Sequence, residues 1–342
     1  MTITPVLSPR PSHASIGQRR PVPVLGALIV LAIILSVLSL SVGASWIPVA
    51  DSLRALVGDT STDGAHIVAT FQLPRVALAW CVGSALAVSG AVLQGIIRNP
   101  LAAPDIIGVT RGAGFAGMVL LIGLPQASFV FVAPAAFIGG LIAAALVYVL
   151  AYRRGASPTR LALVGIAVGA AFEAGIRFLL VRNPLDVNSA LIWLTGSLFG
   201  RQLRDVLVIV PVLVILIPMV LRSAHRLDVL GLGDDMASGL GEAVESTRRM
   251  LLLYAVALAA VAVAVSGTIG FVGLIAPHIA RRLFGGRHLT SVPAAAIIGV
   301  LILLVADAVG RGLMPPLEIP AGLVTAVIGG PYFLYLLVKT GR

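Results

Sequence analysis

A short polar segment between two long apolar runs constrains the fold of this chain more than any other feature. Residues 76–97 carry no charge, and they are followed by the segment RNPLAAPDIIG and a second apolar run. A membrane-spanning helix needs about 20 mostly apolar residues, so the first run is long enough to cross a bilayer. Pro100 and Pro104 force the chain out of the helix before it restarts. The sequence therefore predicts a shaped turn between two spanning helices, at a membrane boundary.

The composition excludes an ordinary soluble protein. Hydrophobic residues make up 58% of the 342 residues and charged residues 11%, far below the roughly 25% charged residues of soluble domains. The net charge of +10 does not indicate nucleic-acid binding, because the basic residues lie at the ends of apolar runs and not among aromatic residues. Cys81 is the only cysteine, so an intrachain disulfide is excluded.

Apolar runs of spanning length predict an all-α polytopic membrane protein with ten transmembrane helices. The predicted spans are residues 22–43, 74–97, 103–122, 129–151, 160–181, 204–221, 250–267, 271–285, 290–310 and 321–338. The eighth is short for a crossing. Residues 1–21, rich in Pro, Ser and Arg, are predicted to be a disordered N-terminus, and residues 22–342 a single domain.

The distribution of basic residues predicts the orientation in the membrane. With ten spans, both termini lie on one face, and most of the basic residues fall on that face. The opposite face receives only Arg54, Arg75, Arg182, Arg201, Arg204 and Arg311. Since Lys and Arg near span ends are retained on the cytoplasmic side, both termini are predicted to be cytoplasmic.

The longest cytoplasmic connection, residues 222–249, has polar, helix-forming sequence of its own. Glycines divide LDVLGLGDDMASGLGEAVESTRR into two short helical pieces, and Asp234 and Asp235 stand at the start of the second. A compact segment of mixed charge fits a groove on a soluble partner. A solvated interhelical loop is the alternative interpretation.

Four blocks of the sequence carry a family resemblance. They are QLPRVALAWCVGSALAVSGAVLQGIIRNPLAAPDIIGVTRGAG, LGLGDDMASGLG, SGTIGFVGLIAPHIARRL and ADAVGRGLMPPLEIPAGLVTAVIGGPYFLYLL. In this order and spacing they resemble the membrane subunits of the iron-siderophore and cobalamin importers of the ABC transporter class. The resemblance covers residues 22–340, and the forms RNPLxxPDxxG and GDD look closer to the siderophore branch.

The resemblance implies a type II ABC importer permease in the cytoplasmic (inner) membrane of a bacterium, with a ferric siderophore as cargo. A second permease subunit, identical or paralogous, would pair with it, and the pathway would follow the dimer axis. Two ATP-binding subunits would hydrolyse ATP, and an extracytoplasmic binding protein would deliver the cargo. Membrane lipid would surround the subunit. Cobalamin and haem are the alternative cargoes within the same family.

The cytoplasmic connection would be the contact with the ATPase, by resemblance to two short helices that press into a cleft on that subunit. The residues assigned to ATPase coupling are Leu232, Gly233, Asp234, Asp235, Ala237, Gly239, Leu240 and Gly241. The glycines would allow close approach, and the acids would face basic residues on the partner. A purely structural role for some of these glycines is equally compatible with the sequence.

On the opposite face, the resemblance assigns docking of the binding protein to Arg75 and Arg311, which can form charge-assisted pairs with carboxylates. The sequence departs from the family pattern at Gln72, where many members carry another arginine, so one contact would be weaker or rearranged. The alternative is that both arginines only anchor helix ends at the membrane interface. In that case the external contact is expected at Arg201 or Arg204.

Three ionisable residues inside predicted spans are candidates for the translocation path: Arg111, Glu173 and Arg177. Intramembrane charges usually face a bundle interior or a water-filled path, because lipid exposure is costly. Glu173 and Arg177 stand four residues apart and could instead neutralise one another. If the arginines face the path, it favours an anionic cargo such as a ferric catecholate over a neutral corrinoid. Ser157 and Thr159 are assigned to gating by their position at the start of the fifth span.

The sequence lacks the motifs of an ATPase and of a metal-dependent enzyme. It contains no GxxxxGK[ST] nucleotide-binding loop, so ATP hydrolysis is assigned to the partner subunit and no catalytic residue is expected. The five histidines are scattered without the spacing of metal ligands, so no metal site or cofactor is predicted. A secondary transporter is the other alternative, but it needs no compact docking loop and usually has coupling carboxylates at mid-membrane.

Overall fold

The computed structural model describes residues 21–43, 46–105, 107–123, 131–152, 157–184, 187–315 and 317–340. Its helices are α1 (Pro21–Ser41), α2 (Val49–Leu56), α3 (Asp63–Ile67), α4 (Leu73–Ile97), α5 (Val109–Gly123), α6 (Val132–Ala151), α7 (Pro158–Arg182), α8 (Val187–Leu194), α9 (Leu203–Arg222), α10 (Ala224–Gly231), α11 (Asp234–Gly239), α12 (Val244–Ser266), α13 (Val272–Phe284), α14 (His288–Gly312) and α15 (Ala321–Thr340). A π-helical turn, Val68–Gln72, joins α3 to α4. Within the described ranges no strand forms, and the all-α fold is confirmed. The predicted disordered N-terminus lies almost entirely outside these ranges.

Seven helical segments in the described ranges are long and apolar enough to cross a membrane. They are α1, the continuous α3–α4 segment, α6, α7, α9, α12 and α14. The other three predicted spans correspond to α5, α13 and α15. The count of ten crossings stays a prediction, because α5 has only 15 residues and α13 only 13, short of the roughly 20 that a spanning helix needs.

Helix α4 lies at the centre of the bundle, and most of its side chains are buried. Small residues let its neighbours approach closely. A Cβ atom at Gly83 would lie 2.6 Å from the carbonyl oxygen of Gly299 on α14, and one at Gly90 would clash with the backbone of Gly273 on α13. Membrane helices commonly pack through such small-residue contacts. This packing holds the middle of α4 against α13 and α14, and candidate sites lie at its two ends.

The turn predicted after α4 is present, and we call residues 98–105, 107 and 108 the linking turn. Arg98 ends α4 in the left-handed conformation, with φ of 54°. The Asn99 side chain then accepts a hydrogen bond from the Leu101 amide at 2.9 Å. The third span was predicted to start at residue 103, but α5 begins at Val109. The delay has a local cause, because Pro104 lacks an amide proton and Gly108 adopts φ of 80° just before the helix.

Candidate functional site

The two predicted short helices, α10 and α11, form within residues 222–249, and this segment exposes apolar side chains. Leu232, Met236 and Leu240 are all exposed, Met236 by 62%, and Asp235 is exposed beside them. We call these four residues the coupling surface. Ala237 is fully buried and holds α11 against the bundle. Met236 was missed from the sequence, although it stands four residues before Leu240, a spacing that places two side chains on one face of a helix.

Two glycines of this segment, Gly233 and Gly241, adopt backbone conformations that favour glycine, whereas Gly239 does not. Gly233 and Gly241 have φ of 110° and 84°, conformations that residues with a Cβ atom rarely adopt. Gly239 has no such backbone requirement, and a Cβ atom built there would meet nothing within 4 Å. Close approach at Gly239 would therefore be to another molecule and not to this chain.

Asp234 is bound within the chain and does not point freely toward a partner. Its carboxylate forms ion pairs with Arg98 of the linking turn and with Arg248 of α12, the latter at 2.8 Å. Partial burial raises the pKa of Asp234, but the hydrogen bonds and charges of Arg248 and Arg98 outweigh that effect and hold the pKa below its usual value. Of the two acids expected to face a partner, only Asp235 is geometrically free to do so.

A second contact fixes α10 to the membrane bundle. The Asp228 carboxylate lies 2.6 Å from Nδ1 of His288 and accepts the backbone amide of the same residue at 2.9 Å. His288 begins α14, and a Cβ atom at Gly95 of α4 would lie 2.9 Å from its Nε2 atom. His288 is one of the five scattered histidines to which the sequence pattern gives no site. The carboxylate 60 positions earlier in the chain gives it a role in attaching the coupling surface.

Arg111 and Arg177, predicted from sequence to lie on the path, line one cavity of about 480 Å³. Glu173, Asp105, Thr110 and Thr268 are also among its lining residues, and we call it the charged cavity. The close approach of α7 to Arg111 occurs at Gly169, where a Cβ atom would lie 3.2 Å from the guanidinium. The cavity thus collects charged groups from two predicted spans and from the linking turn.

Both sequence interpretations of Glu173 and Arg177 apply to this cavity. Arg177 Nε lies 3.2 Å from Glu173 Oε1, so the two side chains do pair. The pair nevertheless does not face the interior of the chain, because the Arg177 side chain is 75% exposed. Glu173 and Arg177 therefore neutralise each other in part and also present polar groups on the outer side of α7.

Ser157 and Thr159 lie elsewhere on α7. Ser157 is the N-cap of the helix, and its hydroxyl accepts a hydrogen bond from the Arg160 amide at 3.3 Å. Both residues are exposed. At about 1.5 Å per residue they stand roughly 30 Å along α7 from Arg177. The capping hydrogen bond gives Ser157 a structural role at the start of α7. Gating by Ser157 or Thr159 stays a prediction.

The two arginines assigned to docking, Arg75 and Arg311, are buried, at 6% and 2% exposure. Arg75 pairs with Asp307 at 2.9 Å and with Glu318 at 2.8 Å, and Arg311 pairs with Asp307 at 3.1 Å. We call Arg75, Asp307, Arg311 and Glu318 the outer-face cluster. The docking role stays a prediction, but the geometry it assumed, two arginines free to pair with a partner, is contradicted by this burial.

Gln72 helps to turn Arg311 inward. The Gln72 side-chain oxygen and the Val42 carbonyl both accept hydrogen bonds from the Arg311 guanidinium, and the Ser39 hydroxyl accepts another at 2.6 Å. The departure noted at Gln72 therefore supplies an internal acceptor. Arg204, held in reserve as an external contact, is exposed.

Comparison with solved structures defines the class of protein. A structure described as an inward-facing conformation of a metal-chelate type ABC transporter superposes with a TM-score of 0.83 at 32% identity, covering 93% of this chain and 99% of that one. The fold is thus that of an ABC transporter membrane subunit.

The chain belongs to the FecCD transport family, whose model matches residues 30–339. It is 49% identical over 327 residues to the Fe(3+)-citrate import system permease protein YfmE of Bacillus subtilis, covering 95% of this chain and 97% of the relative. It is 44% identical over 272 residues to the cobalamin import system permease protein BtuC of Halobacterium salinarum, covering 79% and 73%. The predicted family and its siderophore branch are confirmed, and the chain is a multi-pass permease subunit, not an enzyme.

Proposed function

We propose that this chain forms half of the membrane pathway of an importer that carries an anionic iron chelate into the bacterial cytoplasm. Its partners hydrolyse ATP. The observation that carries the proposal is the charged cavity, which joins Arg111 and Arg177 on a face of the bundle that is open in the isolated chain. Similarity to an iron-citrate permease over nearly the whole chain supports an iron chelate, whereas the similarity to a cobalamin permease covers a smaller part.

The exposed charges on α7 support a pathway shared with a second permease subunit. An arginine exposed to lipid within a span costs several kcal/mol by most estimates. Arg177 therefore needs water or a partner chain beside it. A second copy, or a paralogue, placed against α5 and α7 would enclose the charged cavity and leave a polar route between the two subunits.

The coupling surface supports the ATPase as the cytoplasmic partner. Its three apolar side chains would face water if the chain were alone, and a cluster of exposed apolar residues commonly marks a protein interface. Asp235 beside them adds a charge that would select orientation. A binding protein would approach the other end of the bundle, around the exposed Arg204 and the partly exposed Glu318.

Uptake by the reconstituted complex tests the cargo. The permease with its ATPase and binding protein, in proteoliposomes, would be offered ferric citrate, a ferric catecholate, a ferric hydroxamate and cobalamin separately. We expect ATP-dependent accumulation of at least one of the iron chelates and none of cobalamin. Accumulation of cobalamin alone would replace the proposal with the alternative cargo.

Removing one charge from the cavity should slow uptake selectively. We expect Arg177→Gln to lower ferric chelate uptake about tenfold, because a hydrogen bond to a charged group contributes roughly 1.5–3 kcal/mol. Arg182→Gln is the matched control, since Arg182 is exposed on the same helix but does not line the cavity. Initial uptake rates at saturating binding protein measure the effect. An equal loss in both variants would show that the cavity charge is not what matters.

The orientation is tested by cysteine labelling in a Cys81→Ala background. Ser61 and Ser238 are exposed and lie at opposite ends of the bundle. Because basic residues are retained in the cytoplasm, we expect Ser61→Cys to react with an impermeant maleimide in intact cells and Ser238→Cys to react only after permeabilisation. Reaction of both from outside would contradict the cytoplasmic placement of the coupling surface.

A further inference from the structure

One side chain joins the coupling surface to the charged cavity through the linking turn. Arg98 is the first residue of that turn, and its guanidinium binds the Asp234 carboxylate at the start of α11. Met236 of the coupling surface lies two residues beyond Asp234 on the same short helix. A displacement of α11 by a partner would therefore act directly on Arg98.

The linking turn is exposed at its start, from Arg98 to Pro100, and closely packed further along. Ala102, Ala103 and Pro104 are buried. Pro104 packs against α13, where a Cβ atom at Gly273 would lie 3.0 Å from its ring. The Ala102 amide also donates to the Asn99 carbonyl at 3.1 Å. The hydrogen bonds of Asn99 join the exposed start to the buried part, which transmits a displacement because it has little free space in which to deform.

The far end of the linking turn reaches the charged cavity. Asp105 lines the cavity, and its carboxylate accepts the Thr110 hydroxyl at 2.7 Å and the Phe271 amide at 3.4 Å. Phe271 holds the left-handed conformation, with φ of 67°, immediately before α13. Asp105 thus ties the starts of α5 and α13 together beside Arg111, and a shift of the linking turn would change that junction.

We propose that Arg98 is the positioning residue that passes movement of the ATPase contact to the charged cavity, through its ion pair with Asp234 and the linking turn. The inference rests on the proposed function. Arg248 binds the same carboxylate, but it lies on α12 and so anchors Asp234 to the bundle. Arg98 is the partner of Asp234 that belongs to the segment leading to Asp105. Without this ion pair, ATP hydrolysis continues but its movement reaches the cavity poorly.

The first test measures transported iron per ATP hydrolysed in the reconstituted complex, with ferric citrate as the probe. Arg98→Gln keeps most of the side-chain length but removes the charge, and we expect it to lower this ratio about tenfold, within the usual range of coupling between sites. Arg98→Lys should restore most of the ratio. Arg226→Ala is the matched control, because Arg226 pairs with Glu242 only loosely, at 3.9 Å, and does not contact the linking turn.

An unchanged ratio in Arg98→Gln would overturn the proposal. So would an equal fall in Arg226→Ala, or a fall that Arg98→Lys does not reverse, since each indicates a general loss of structure. Failure of the unsubstituted complex to import ferric citrate would instead count against ferric citrate as the cargo, and the ratio would then be measured with whichever iron chelate the complex accumulates.

A second test needs no cargo and therefore decides the linkage independently. Leu101→Cys in the Cys81→Ala background places a thiol in the linking turn, where Leu101 is half-buried. In the complex of permease and ATPase, ATP binding should change its rate of reaction with maleimide several-fold, and the Arg98→Gln substitution should abolish that change. A nucleotide-dependent change that persists without Arg98 would contradict the proposed route.

Discussion

Replacing Arg75 by methionine is expected to destabilise the folded protein by about 3–5 kcal/mol. The substitution removes the cation that pairs with Asp307 at 2.9 Å and Glu318 at 2.8 Å, and the Asp307 side chain is only 5% exposed. A carboxylate left buried with fewer partners loses much of the interaction that offsets its desolvation. Unfolding in detergent can be followed through Cys81, the only thiol of the chain, which is partly buried in the folded state.

Two controls separate this effect from a general effect of removing outer-face charge. Arg204→Met removes an exposed arginine near the same face and should change stability by no more than about 0.5 kcal/mol. Glu318→Gln should cost about 1 kcal/mol or less, because the Glu318 side chain is 27% exposed and water can replace part of the pair. If Arg75→Met keeps full stability but binds the binding protein less well, in a salt-dependent manner, direct docking by Arg75 would be the better interpretation.

The burial of the outer-face cluster was not predictable from the sequence. The LPR triplet indicates a charged residue at the start of a span, but nothing local shows whether that arginine points outward or inward. Its acidic partners stand 232 and 243 positions away along the chain. The packing of α4 against α14 brings Asp307 to Arg75, and the connection between α14 and α15 brings Glu318. Docking by Arg75 and Arg311 therefore stays a prediction, and the structure adds that both side chains are buried.

The linking turn and the short helices α10 and α11 were predictable because their causes are local. Two prolines end a helix whatever surrounds it, and Asn99 bonds the amide two residues further on. Gly233 likewise separates α10 from α11 through its own backbone conformation. The grouping of Arg111 with Arg177 was expected only on the general cost of charge in lipid. Their meeting in one cavity depends on the approach of α5 to α7 at Gly169.

The partners of Asp234 show why a motif alone gives an incomplete site. The GDD sequence indicated two acids for a partner, but Arg98 and Arg248, 136 and 14 positions away, bind the first of them. The acid that remains free is Asp235, and the neighbouring Met236 contributes apolar surface. The surface available to a partner is thus more apolar than the GDD motif suggested. A substitution that replaces an apolar side chain by a charged one should therefore disrupt binding of the partner.

Met236→Glu is expected to weaken binding of the ATPase subunit by at least 2 kcal/mol, about 30-fold, and to reduce uptake to near background. Met236 is 62% exposed at the centre of the coupling surface, so the new carboxylate would lose its water on complex formation without gaining a partner of its own. The substitution should leave the isolated permease folded, because the side chain packs little within the chain.

Ser238→Glu is the matched control, since Ser238 is exposed on the same helix, about 200° around its axis from Met236. The affinity of the detergent-solubilised permease for its ATPase subunit measures the difference. Comparable weakening by both substitutions would point to added charge rather than to the apolar face of α11, whereas full affinity in Met236→Glu would place the ATPase contact elsewhere on the cytoplasmic end.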